Sequence, residues 1–316
     1  MSPEFSLIDK YFNLYKTKAY KGIGDDAALI KKDSKYLWAI STDMLNEKTH
    51  FLPNTDPFNL GWKALAVNIS DIYAMGGSPK FALLAIALPK VKENWMNEFS
   101  NGLFSCAKKY RVELIGGDTT KGQLSISICI LGEVLKKDTL LRSNAKKEDD
   151  IWVTGELGLA ALGLANLQNK IELPQRLAKK AIGALEKPML NSSIIKSMAK
   201  LGHSAIDISD GLIADLSHIL DASKVGANIF LKDVPMTPWI KKNKLFDIGL
   251  SGGDDYQLLF TAPKKNRNKI NLISKIPSIK LVRIGSIKKD KSLNIIDHKG
   301  MLYKLKKRGY DHFETK

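Results

Sequence analysis

Carboxylates beside glycine, serine or threonine recur along this chain often enough to suggest one shared chemistry. Gly22-Ile23-Gly24-Asp25-Asp26 is the first such stretch. Ser41-Thr42-Asp43, Ser70-Asp71, Gly116-Gly117-Asp118-Thr119-Thr120, Asp207-Ile208-Ser209-Asp210-Gly211 and Ser251-Gly252-Gly253-Asp254-Asp255 follow, and each reads as an acid beside a turn. The first also fits the pattern Gly-x-Gly-x-x-Ala, in which backbone N–H groups cradle a pyrophosphate. Two carboxylates in that turn would repel a pyrophosphate. The conflict disappears if divalent cations stand between acid and phosphate, because Mg2+ is held by a few carboxylates together with substrate phosphate oxygens.

Taken singly, Asp25, Asp43, Asp118 and Asp210 read as helix caps or turn formers, as do Ser41, Thr42, Thr119 and Ser209. Capping does not explain paired acids beside Gly-Gly on separate strands, nor an acid on an apolar helix face. Other chemistries lack their residues. There is no Gly-x-x-x-x-Gly-Lys-Ser/Thr loop and no protein-kinase catalytic-loop signature. The histidines at 50, 203, 218, 298 and 312 form no His-x-x-x-His pair, and Cys106 and Cys129 have no metal-ligand spacing. Groups of hard oxygen ligands without nitrogen or sulfur favour Mg2+ or a similar cation.

The elements that must carry these acids alternate between helix and strand. Phe5, Ile8, Phe12 and Tyr15 predict an amphipathic helix over 4–16. Ala27–Ile30 and Tyr36–Ser41 predict a hairpin around Lys31-Lys32-Asp33-Ser34, where a dinucleotide turn would instead open a helix. Asp56-Pro57 supplies a cap and a first-position proline for a helix running to Gly76-Gly77. Asp71 therefore sits on a helix, in one row with Ala64 and Val67, and a charge emerging from that apolar face wants a partner. A strand at Phe81–Leu88, a helix at Glu93–Tyr110, a short strand at Val112–Ile115 and an alternating strand from Leu124 follow.

The mixed-charge stretch Lys146-Lys147-Glu148-Asp149-Asp150 marks a boundary, giving domains 1–147 and 148–316. Beyond it, strands are predicted at 151–154, 205–208, 227–231, 257–262 and 280–284, and helices at 158–168, 175–186, 192–200 and 212–223. The fold class is α/β (α+β), with two domains facing one cleft.

With 316 residues, 44% hydrophobic and 26% charged, the composition is that of a soluble globular protein. The start, MSPEFSLIDKYF, has no basic region before an apolar run and does not read as a secretory signal. The longest apolar run, Phe81–Leu88, is far short of the roughly 20 residues a membrane span needs. A reduced, cytoplasmic protein is expected, with no membrane partner. The net charge of +16 invites a nucleic-acid reading, but only six of the 49 basic residues are Arg, and the lysines are scattered. A solvated lysine-rich surface is expected instead, one that attracts polyanionic small substrates.

The strings GIGDDAAL, STDMLNEKTHF, KALAVNISDIYAMGG, IGGDTTKG, AIDISDGL, SGGDDYQLLF and GYDHF resemble the thiamine-monophosphate kinases, of the superfamily that includes aminoimidazole ribonucleotide synthetase. The resemblance runs from Phe5 to Phe313. It implies transfer of the γ-phosphate of ATP to thiamine monophosphate, assisted by several Mg2+ ions. It also implies an aminoimidazole ribonucleotide synthetase-like fold of two mixed-sheet domains, and a homodimer formed through the N-terminal sheets. On it, Asp26, Asp43, Asp71, Asp118, Asp207 and Asp210 match the metal ligands, with Ser41 and Thr42 lending backbone or hydroxyl oxygens. Gly117, Asp118, Arg142 and Ser209 match ATP contacts, and His50, Asp254 and Tyr310 match thiamine-phosphate contacts.

A carboxylate and an aromatic face suit a cationic thiazolium. An anionic phosphate acceptor needs no general base. Three places depart from the family pattern. Asp254 stands where Glu is usual and is one methylene shorter, Gln257 stands where an acid is common, and the turn Thr154–Ala160 lacks the usual Asp-Ser after its glycine. Two alternatives stay open. A sister ATP-dependent ligase or synthetase would share the fold, with His50, Tyr310 and the GYDHF tail speaking against it. A non-catalytic basic protein binding nucleotide or nucleic acid would keep the lysines but need no acid array.

Overall fold

Apolar alternation builds the first sheet, as seen in a computed structural model that describes residues 3–13 and 17–313. β1 (Ala28–Lys31) and β2 (Tyr36–Asn46) form the expected antiparallel hairpin. Asp33 Oδ1 closes its turn by accepting from the backbone N–H of Lys35 (2.7 Å) and Tyr36 (2.8 Å). β3 (Ser78–Leu88), β4 (Glu113–Lys121) and β5 (Ser125–Leu135) complete a mixed sheet in the order β1-β2-β5-β3-β4, with β3 and β4 parallel.

Two strands run further than the sequence suggests. β2 pairs with β5 along its whole length, so Ser41, Thr42 and Asp43 lie within a strand and not beside a turn. β4 continues through Gly116, Gly117 and Asp118 in a parallel ladder with β3 that reaches Lys121, with a register shift between Ala82 and Leu83 and a positive φ of 153° at Gly117.

Before the first sheet, α1 (Pro3–Phe12) is shorter than the 4–16 expectation and buries none of its residues, while Tyr15 falls outside the described residues. α2 (Pro57–Ala74) begins as predicted, with Asp56 Oδ1 accepting from the Asn59 N–H at 2.9 Å and Pro57 in the first turn. It is buried on nearly every side, since it packs against β2, β3 and β5 of the first sheet and against two strands of the second. α3 (Glu93–Tyr110) packs on α2, and their close approach needs Gly61 and Gly102, where a Cβ would meet the facing helix backbone at 2.0 and 1.8 Å. The other face of the first sheet leaves Ile30, Tyr36, Met44 and Leu83 exposed.

The second sheet contains β6 (Asp150–Thr154), β7 (Ser204–Ile208), β8 (Gly226–Phe230), β9 (Gln257–Ala262), β10 (Leu281–Lys288) and β11 (Leu293–Ile296). Its order is β11-β8-β10-β6-β9-β7, again mixed, with only β11 and β8 parallel. α4 (Leu159–Leu167), α5 (Gln175–Glu186), α6 (Ile195–Leu201) and α7 (Leu212–Ser223) match predicted helices within a few residues. β11 and the short helices α8 (Pro238–Lys242), α9 (Phe246–Ser251) and α10 (Arg267–Ile273) are too brief for periodicity to reveal. One apolar core joins α2 to Trp152, Leu258 and Phe260 of the second sheet, so α2 is the member shared by both halves. Among the described residues no helix is long and apolar enough to cross a membrane.

Candidate active site

Three elements bring carboxylates together at one end of α2. Asp26 comes from the glycine turn before β1, Asp71 from α2 and Asp207 from β7, and oxygens of all three lie within 4.8 Å of one another. Ser41, on the inward face of β2, donates its hydroxyl to Asp71 Oδ2. Asp43, two residues on and on the same face, has its backbone N–H on Asn68 Oδ1 at 3.0 Å, which pins β2 to α2.

Concentrating these acids in the interior raises their affinity for protons. Burial, then the charge of Asp26, pushes Asp43 up to about 6, and burial with Asp26 and Asp43 nearby pushes Asp207 up to about 8. Asp71 is raised well above the usual carboxylate range by burial and then by Asp43, Asp207 and Asp26. Burial also raises Asp26, against the opposing pull of Arg142. Asp26 Oδ2 is buried without a hydrogen-bond partner. An orphaned carboxylate oxygen among further acids and a hydroxyl, with no nitrogen or sulfur donor in the group, is a set that suits a hard divalent cation such as Mg2+.

The two acids of the first motif separate in role. Gly24 takes a left-handed φ of 105°, and the following Asp25 turns its carboxylate to the backbone N–H of Arg142 (2.7 Å) and to Lys21 Nζ (3.0 Å). Asp26 faces the cluster and pairs with the Arg142 guanidinium at 2.8 Å.

A cleft of about 510 Å³ opens above the acids. Asp43, Asp71, Asp207, Ser209 and Asp210 are among its lining residues, as are His50, Asp254 and Tyr310. His50 Nδ1 accepts from the Asn46 N–H at 2.9 Å, and its ring lies 5.0 Å from that of His312. His312 meets the Tyr310 ring edge-on at 4.9 Å, and the Tyr310 N–H donates to the Asp210 carbonyl at 3.0 Å. A second cavity of about 430 Å³, containing Arg142 and His218, shares Asp210 and Tyr310 with the first. Phe5 of α1 stacks on His218 at 4.1 Å.

The paired acids of the last motif also divide. Asp254 reaches the cleft, whereas Asp255 is buried and accepts from the N–H groups of Gly158 (2.6 Å) and Ala160 (3.4 Å) at the start of α4. Burial raises Asp255 to about 7 in spite of those bonds. Asp255 thus anchors the departed turn at 154–160. Gln257 fills the space beside Gly155, and its Oε1 accepts from the Thr154 hydroxyl at 2.9 Å.

Three residues singled out from the sequence lie apart from this group. Gly117 and Asp118 are on β4, the exposed edge of the first sheet, where Asp118 shares a register row with Ala85, Ser127 and Met44 on the open face. Thr42 points to that same face, with its hydroxyl 3.5 Å from Ser127 Oγ, so only its backbone can serve the acid cluster. Lys63, His312 and Asp215 are not among the candidate site residues read from the sequence. Lys63 looks like one more helix lysine, and Asp215, which caps the 210–211 turn through the N–H groups of Asp210 (3.1 Å) and Gly211 (3.0 Å), has no motif of its own.

Residues 24–134 match the family model for AIR synthase related protein, N-terminal domain, and residues 146–298 match the model for its C-terminal domain. The chain is 42% identical to the thiamine-monophosphate kinase of Buchnera aphidicola subsp. Schizaphis graminum (strain Sg), with 98% of each chain covered. It is 41% identical to that of Escherichia coli (strain K12), covering 99% of this chain and 98% of the other. Among solved structures it is similar to AaThiL complexed with AMPPCP and TMP, with a TM-score of 0.84 at 31% identity over 98% of this chain and 96% of that one. It is also similar to thiamine-monophosphate kinase from Stenotrophomonas maltophilia K279a, with a TM-score of 0.80 at 35% identity over 96% of this chain and 99% of that one.

Proposed function

The chain belongs to the thiamine-monophosphate kinase family, and on that premise we propose that it uses ATP to phosphorylate thiamine monophosphate by direct transfer within the cleft described above. An oxygen of the acceptor phosphate attacks the γ-phosphorus of ATP while the bond from that phosphorus to the bridging oxygen breaks. Thiamine diphosphate and ADP result. The observation that carries this reading is the acid cluster of Asp26, Asp43, Asp71 and Asp207 beside the cleft that also holds His50, Asp254 and Tyr310. The similar AaThiL structure with AMPPCP and TMP supports a site for both substrates at once.

The acceptor is already an anion at neutral pH, so the site needs no general base. Its problem is to bring two polyanions together and hold them in line. Asp26, Asp43, Asp71 and Asp207, with Ser41, the Thr42 backbone and Asp210, would hold several Mg2+ ions, which neutralise the phosphates when bound. Ser209 and Arg142 flank Asp210 from the two cavities and suit the polyphosphate of ATP. His50, Asp254 and Tyr310 offer a ring edge, a carboxylate and an aromatic face to the thiamine rings.

Gly117 and Asp118 would meet ATP or metal only across the open face of the first sheet, from a second subunit. The exposed Ile30, Tyr36, Met44 and Leu83 on that face favour such a homodimer. The same reading takes 1–147 as the metal, ATP and dimerisation domain, 148–316 as the domain that completes the cleft, and the cytoplasm as its location.

The test is direct. Purified protein incubated with thiamine monophosphate, ATP and Mg2+ is expected to form thiamine diphosphate and ADP in equal amounts. No thiamine diphosphate over a range of Mg2+ concentrations would overturn the assignment.

A further inference from the structure

We propose that Lys63 is the positioning residue of the acceptor site, gripping Asp254 and the His50 carbonyl together. The inference rests on the thiamine-monophosphate kinase reading. Lys63 sits on α2 with its side chain 2% exposed, and its Nζ lies 2.8 Å from Asp254 Oδ1 and 3.4 Å from the His50 carbonyl oxygen. It therefore ties together two of the residues assigned to the thiamine end, one from each half of the chain.

A fully buried lysine is rare, and replacing a buried ion pair as a whole by apolar residues is often neutral or stabilising, so stability alone does not account for this pair. What the pair supplies is direction. The Asp254 side chain stays 31% exposed at the cleft wall, so the pair is sealed on the Lys63 side and open on the substrate side. The Asp254 backbone is fixed as well, with a left-handed φ of 67° that Asp tolerates better than most residues, and its N–H donates to the Ser209 carbonyl at 2.8 Å. Lys63 completes the constraint from the carboxylate end.

Helix geometry extends the consequence. Lys63, Val67 and Asp71 are spaced by four and share one face of α2, and Val67 and Asp71 both line the cleft. Eight residues of helix separate Lys63 from Asp71 by about 12 Å along the axis. One rigid helix thus sets the distance between the acid cluster, where phosphate is transferred, and the Asp254 and His50 contacts that hold the rest of the acceptor.

The test is a double-mutant cycle with full-length protein, measured as KM and kcat for each substrate. Lys63→Met and Asp254→Asn should each raise KM for thiamine monophosphate about tenfold with KM for ATP and kcat changed less than about twofold, and the double variant should be no worse than either single one. Additive effects, an unchanged KM for thiamine monophosphate, or a parallel loss for ATP would overturn the proposal. Should Lys63→Met not fold, Lys63→Arg keeps the cation with a different reach. A KM change confined to thiamine monophosphate then supports the proposal, and unchanged kinetics overturn it. Wild-type protein that makes no thiamine diphosphate overturns the activity reading itself, whereas active wild type with an additive cycle overturns only the role of Lys63.

Discussion

Arg142 holds both acids of the opening glycine turn at once, its guanidinium 2.8 Å from Asp26 Oδ1 and its backbone N–H 2.7 Å from Asp25 Oδ1. The side chain is 13% exposed, and the residue also lines the second cavity. It can therefore orient Asp26 and meet a phosphate from the same place, which a flexible lysine would do less well. Arg142→Met is expected to raise KM for ATP at least about tenfold while leaving KM for thiamine monophosphate within about threefold. Equal losses for both substrates would count against Arg142 as an ATP contact.

Among the described residues Asp71 has no salt bridge, and its hydrogen-bond partner is the Ser41 hydroxyl. Its carboxyl is raised by burial and by three neighbouring acids, so an amide of the same shape removes repulsion without leaving a hole. Asp71→Asn should lower kcat by a factor of about 10³ or more while the metal-free protein melts at the same or a higher temperature. Activity within tenfold of wild type would remove Asp71 from the metal site, and a lower melting temperature would mean that its charge is structural.

The raised acids would also tie the proposed metal binding to pH. Asp43 at about 6 and Asp207 at about 8 both exceed the ordinary carboxylate value. Each therefore contributes stability that is complete below the unfolded pKa and is lost as pH rises through its folded value. Metal-free protein should melt at progressively lower temperature as pH rises through about 6 to about 8. Mg2+ held by these acids would have to displace those protons, so its affinity and its stabilising effect should increase over the same window. Calorimetry of Mg2+ binding in buffers of different ionisation enthalpy reads the released protons directly. A pH-independent affinity with no proton release would sink this account.

Much of this site was legible because acids beside glycines and on an apolar helix face are hard to explain by folding alone. Asp71 is the clearest case, since the row of Ala64, Val67 and Asp71 already implied a buried carboxylate in need of partners. What stayed hidden depends on tertiary placement. Nothing local distinguishes Asp254 from Asp255, yet one faces the cleft and the other caps α4. Lys63 reads as a surface lysine until α2 is found enclosed by two sheets. Strand extents differ from the expectation at Asp43 and Asp118 because cross-strand ladders carry β2 and β4 through residues that favour turns in isolation.

Strand alternation supplies a last discriminating test. Ser41 and Thr42 are adjacent, both bear hydroxyls, and both were matched to metal ligands, but successive side chains on β2 point to opposite faces. Ser41 meets Asp71, while the Thr42 hydroxyl lies 3.5 Å from Ser127 Oγ across the sheet. Ser41→Ala should lower kcat about tenfold or more and weaken the apparent Mg2+ affinity, because the Asp71 carboxylate loses its one hydroxyl donor. Thr42→Val keeps the shape and the backbone oxygen and should leave both quantities within about twofold of wild type. Steady-state rates over a Mg2+ titration separate the two variants, and a Thr42→Val defect as large as that of Ser41→Ala would mean that the Thr42 hydroxyl acts from the open face of the sheet.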